Sequence, residues 1–166
     1  MVDERTWDEI VIPGIIGGVV AGLAATVPAC VASAIAGQGL FRPLELIAAA
    51  VLPANTPLHA LWPIVTGLAL NLLTAAALGI LYNAIVPRGE PYPWAALVAL
   101  TFAISVWLLV TWLLLPWLDE PLYRTYPPPL TLLYFLVYGA VLPLTIAVRR
   151  TVTEDIAHRP PREIEA

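Results

Sequence analysis

The sequence predicts an all-α membrane protein, a bundle of four transmembrane helices with a short helix in the first outer connection. Three observations carry this. First, 60% of the 166 residues are hydrophobic and only 12% are charged, about half the charged share of an ordinary soluble domain. Second, the charges are segregated: no Asp, Glu, Lys or Arg occurs in residues 10–41, 46–87, 91–118 or 125–148. Each run exceeds the ~20 apolar residues that cross a bilayer core of ~30 Å. Third, prolines and glycines fall at the borders of these runs, where helices start and stop.

The spans follow in order. The first covers about 13–36, opened by Pro13 and ended by Gly37 and Gly39, with Pro28 inside it as an expected kink. The second covers about 63–86, closed by Pro87. The third, about 93–115, is bracketed by Pro93 and Pro116, and the fourth, about 129–148, is closed by Arg149 and Arg150. Together they form one membrane domain, 1–150, followed by a polar tail, 151–166. The connection "PRGEPY" (87–92) is short, so the second and third spans form an antiparallel hairpin. "RPLELIAAAVLP" (42–53) reads as a helix with Leu44, Ile47, Ala48 and Val51 on one face and Arg42 and Glu45 nearer the other. It is too short to span and is expected at the interface or tucked between spans.

Every basic residue is arginine. With the N-terminus inside, Arg5, Arg88, Arg149 and Arg150 are cytoplasmic and Arg42 and Arg124 external, with Arg159 and Arg162 adding to the inside. The positive-inside rule therefore places both termini in the cytoplasm of a prokaryotic inner (plasma) membrane. "MVDERTWDEI" lacks the positive region of a secretory signal, and the apolar run before "ASAIAG" (32–37) is too long for a signal core, so the first helix is read as retained.

The first span is unusual in being built from small residues. Gly14, Gly18 and Gly22 lie four apart, and Ala25, Ala29 and Ala32 extend the stripe. Inside lipid there is no water to drive association, so close backbone approach and interhelical hydrogen bonds must do it. The stripe is a packing face, for another span of this chain or for a foreign helix. The second span offers a match in Gly67, Asn71, Thr74 or Ala75, Leu78 and Tyr82. Trp62, Trp94, Trp117 and Tyr92 fall at span ends as interfacial anchors, whereas Trp107 and Trp112 lie deeper, facing lipid, a neighbouring helix or a ligand.

Polar chemistry is sparse. Asn71 is the most polar residue deep in the bilayer and requires partners, from Thr74 or from a Ser, Thr or Tyr on another span. Asn83 reads as an interfacial residue. His59 and Cys30 are weak metal candidates lacking further ligands, and His158 lies in the tail. Haem held between two histidines needs a second membrane-embedded histidine, and a proton relay needs an intramembrane charge; the spans carry neither. No nucleophile–base pair, phosphate loop or metalloprotease motif occurs, so no enzyme activity is expected. No basic patch suits nucleic acid. The second outer loop, with Trp117, Tyr123, Arg124 and Tyr126, reads either as a solvated rim or as a docking surface for a partner or a lipid headgroup.

The segments "GGVVAGLAATVPA", "GQGLFRPLELIAAAVL", "GLALNLLTAAALGILY" and "FLVYGAVLPL" resemble a loose family of small uncharacterised four-span prokaryotic membrane proteins. The resemblance implies a four-helix fold and no known activity. Those proteins often carry histidine at the position of Asn71 and just before the stretch matching "LVYG" (136–139), where this chain has Phe135 or Leu136.

The leading expectation is a non-catalytic accessory or scaffold subunit of a larger membrane complex, respiratory or photosynthetic, acting by helix packing and loop docking. Its partners are membrane lipids and other membrane subunits. The alternative is a small transporter or a lipid- or quinone-binding protein using the space around Asn71, Thr74 and Tyr82, and the third reading is a haem or metal protein. No cofactor is predicted, although bound lipid or quinone fits the alternative.

Overall fold

A computed structural model of the chain describes residues 10–53, 55–87, 89–114 and 128–149. The described residues are helical: α1 (Ile12–Ile35), α2 (Arg42–Ala49), α3 (Leu61–Ile85), α4 (Tyr92–Leu108), prolonged by a π-helical segment (Leu109–Leu114), and α5 (Pro128–Val141). A further helical stretch, 144–149, continues α5 after a turn at Leu142 and Pro143. Four of these helices are long and apolar enough to cross a membrane, which makes this a multi-pass helical bundle. With 24 residues, α1 is about 36 Å long.

Local chemistry accounts for the boundaries. α1 ends where Gly37 adopts a φ of 72°. Its N–H reaches Ala34 O at 3.0 Å and the N–H of Gln38 reaches Ser33 O at 3.1 Å, a paired closure that satisfies the last carbonyls of the helix. Ser33 Oγ also donates to Gly39 O at 2.8 Å, fixing the exit of the chain. α1 runs through Pro28 as one helix. The fourth span, in contrast, is broken at Pro143, which has no N–H to continue the ladder; Thr145 N bonds Leu142 O and Ile146 N bonds Pro143 O, each at 3.0 Å, to restart it.

The small-residue stripe faces inward. α1 packs most extensively on α3 and also on α5, while α4 packs on α5. A Cβ on Gly14 would lie 2.6 Å from Ile80 Cα, one on Gly18 3.0 Å from Ala76 Cα, and one on Gly22 2.6 Å from Ala75 Cβ. Gly79 returns the approach, its would-be Cβ 2.7 Å from Gly18 Cα. The α3 side of the seam is Ala75 and Gly79, and Thr74 is exposed away from it, so the expected packing role of Thr74 is corrected. Gly67 also departs from expectation: it receives the Leu44 backbone of α2, not α1.

Two further expectations change. α3 and α4, although joined by a short turn, are not a tightly packed hairpin; their contact is sparse and is held by Tyr82, whose hydroxyl donates to Ala95 O at 2.8 Å and whose ring tilts against Phe102 at 6.0 Å. And α2 does not turn Glu45 outward. It buries Pro43, Leu44, Glu45, Leu46 and Ala48, while Val51 is exposed. The close approach at Gly67 rotates the helix about its axis relative to the face that its aliphatic residues define.

Candidate functional site

The splaying of α3 from α4 leaves a gap in the bundle. The gap is a partly open cavity of about 270 Å³, walled by α1 (Thr26, Ala29), α3, the π-helical segment (Val110) and α5, and covered by Pro43, Leu44 and Ile47 of α2. Most of its surface is apolar. Asn71, ten residues into α3, places its amide about 15 Å along the helix from Leu61, at the polar pole of the cavity.

The amide of Asn71 joins three spans. Its Nδ2 donates to Thr26 Oγ1 of α1 at 2.9 Å, and its Oδ1 accepts from the Tyr134 hydroxyl of α5 at 2.7 Å. Thr26 in turn donates to Gly22 O at 2.7 Å. That last bond sets the direction of the whole chain. A threonine hydroxyl has one proton, and Gly22 O, a pure acceptor, takes it. Thr26 Oγ1 must then accept from the nitrogen of Asn71, which turns Oδ1 to Tyr134 and makes Tyr134 the donor. Four spacings along, Tyr138 donates to Ala75 O at 2.8 Å, bonding α5 to α3. On the same helix as Tyr138, Thr131 Oγ1 accepts from Trp107 Nε1 of α4 at 3.0 Å.

Asn71 therefore does join helices, through Thr26 and Tyr134 and not through Thr74, which lines the cavity instead. Thr26, Tyr134 and Tyr138 were not among the sequence candidates. The signal available was the Tyr134–Tyr138 spacing, which puts both hydroxyls on one face of the fourth span. Asn83 is buried, not interfacial: its Nδ2 donates to Ile10 O at 2.9 Å and ties α3 to the start of α1.

At the α2 end of the bundle, the buried Glu45 carboxylate accepts from Arg42 Nη1 at 3.3 Å and lies 3.3 Å from His59 Nδ1. This pins the 50–60 connection to α2. His59 is thus a tether for Glu45, and Cys30 is a buried thiol elsewhere; no group of three or more His, Cys, Asp or Glu side chains suited to a metal occurs among the described residues. Trp62, Tyr92 and Trp94 are exposed at helix ends, as anchors should be, and Trp112 is exposed on the bundle surface. The docking candidates Trp117, Tyr123, Arg124 and Tyr126, and the tail from 151, lie outside the described residues.

Comparison with known proteins adds no family: no family model, curated protein or solved structure matches the chain.

Proposed function

We propose that this chain is a binding protein of a prokaryotic inner membrane, with both termini cytoplasmic, that takes one neutral amphiphile from the lipid phase into the cavity beneath α2. The observation that supports this reading is the cavity itself, an opening of about 270 Å³ with an apolar lining and a hydrogen-bonded polar pole at Asn71. Ligand pockets of membrane-soluble and drug-sized molecules start near ~300 Å³ and share this arrangement, mostly apolar walls with few placed polar groups. Among the described residues no charged side chain lines it, which favours a neutral head. The proposed family resemblance fits the same place: Asn71 and Phe135, at or beside the positions where those proteins often carry histidine, both line the cavity.

Native mass spectrometry of the detergent-released protein tests the proposal. A single retained amphiphile, lost in Val110→Phe, supports it; protein that releases no lipid-soluble molecule and gains no thermal stability from a membrane lipid extract overturns it.

A second reading, an accessory subunit in a larger complex, is favoured by one observation. α4 presents Thr101 and Ser105, four apart, on its exposed face, their hydroxyls satisfied within the helix by Leu97 O at 2.9 Å and Thr101 O at 2.8 Å. Small residues so placed let another helix approach closely. Co-purification of a second membrane protein at fixed ratio, abolished by Thr101→Leu with Ser105→Leu, supports this reading, and a lone protein in gentle detergent counts against it.

A further inference from the structure

We infer that the cavity receives a neutral six-membered ring carrying a carbonyl acceptor and an apolar tail, the head chemistry of a prenylated quinone. This rests on the amphiphile-binding reading above and narrows its ligand class.

The hydrogen-bond inventory selects the head. The single proton of Tyr134 goes to Asn71 Oδ1, that of Thr26 to Gly22 O and that of Tyr138 to Ala75 O. Asn71 Nδ2 carries two protons and one goes to Thr26. Among the described cavity-lining groups of this chain, the second amide N–H of Asn71 and the hydroxyl of Thr74 are thus donors left for a ligand. Neutral donors on a wall with no charged side chain among the described residues call for an acceptor on the ligand, and a carbonyl oxygen is the matching group.

The wall selects a ring. Tyr134, Phe135 and Tyr138 line one side from a single helix, and Tyr134 and Phe135 are set edge to face, their centroids 5.4 Å apart at 78°. A flat π-system packs against such a wall in offset or edge geometry. Leu44, Ile47, Leu78 and Val110 give the tail aliphatic contacts in the same cavity.

The test uses the full chain in nanodiscs of fixed lipid composition and three probes of matched tail: decylubiquinone, decylbenzene (ring without carbonyl) and methyl decanoate (carbonyl without ring). Decylubiquinone binding is read by quenching of tryptophan fluorescence, with Trp107→Phe as the control for the indole beside Thr131, and the other probes by displacement. The expected result is saturable quenching, affinity about tenfold above either comparator, the fold-change one hydrogen bond carries, and loss of that advantage when Asn71→Leu is combined with Thr74→Val. Val110→Phe, which narrows the cavity without touching the polar chain, should weaken all three probes together and serves where Asn71→Leu fails to fold. Equal affinity of decylubiquinone and either comparator overturns the ring-carbonyl inference and leaves the amphiphile reading standing. Absence of binding by all three probes, or binding indifferent to Val110→Phe, overturns both.

Discussion

At the scale of single residues, the protein depends on two kinds of side chain that hydropathy ranks far apart. Glycine lets backbones touch, and asparagine joins them. Gly18→Leu should abolish the folded bundle, because the new side chain meets Ala75 and Ala76 backbone that cannot move aside. Leu23→Ala, on the exposed face of α1, should shift stability by no more than ~0.5 kcal/mol; denaturation in SDS–detergent mixtures measures both. Equal yields of folded protein would show that the seam is dispensable. Asn71→Leu should cost about 1–2 kcal/mol, since it removes two interhelical bonds and strands the Tyr134 hydroxyl. Tyr134→Phe should cost less than Asn71→Leu, and the double variant less than the sum of the two, because one bond is shared; a double-mutant cycle on the same denaturation assay reads the coupling. Additive effects would mean that the amide and the phenol do not act together.

Among the helices, α2 has the most to lose. It cannot span, and it stays in place by pressing its backbone at Leu44 into the groove at Gly67 and by the ties of Glu45 to Arg42 and His59. Gly67→Leu should lift α2 from α3 while sparing the α1–α3 seam. Hydrogen exchange by mass spectrometry should then show faster exchange at 42–49 and unchanged protection at 14–25; uniform loss of protection would indicate that α2 is integral to the bundle core. Glu45→Gln should produce a milder form of the same local loosening, confined to 42–60. Sequence pattern misjudged this helix because amphipathicity names an apolar face but does not know that a glycine across the way offers a closer fit to the other side. The break at Pro143 illustrates the converse case. There a local rule, a missing N–H, decides the backbone, whereas Pro28 sits within an unbroken α1.

For the whole molecule, four spans put the chain ends on one face of the bilayer whatever the orientation, and the proposal that this face is cytoplasmic rests on the arginine distribution. In a Cys30→Ala background, single cysteines at Val2 and Ala166 should both be protected from an impermeant maleimide in intact cells, and one at His59 should be labelled. The reverse pattern would overturn the assignment of the termini to the cytoplasm. The packing order also matters at this scale. Because α4 leans on α5 and barely on α3, the bundle is an open arc closed at one level by Tyr82. The cavity is the consequence of that arc, covered by α2.

The number and approximate limits of the helices, their membrane character and the existence of a glycine seam were legible in residue order, because each depends on hydropathy, turn chemistry or a fixed periodicity along one helix. Asn71 stood out for the same reason, as an amide in an apolar run. Which helices the seam joins, that Thr26 and Tyr134 complete the amide's hydrogen bonds, that Thr74 faces the cavity while Ala75 takes the seam, and that Glu45 turns inward were decided only when the helices met. Those outcomes depend on rotation of one helix about its axis against another, set by contacts between residues 45 and 63 positions apart, and no local pattern in an apolar run encodes that angle.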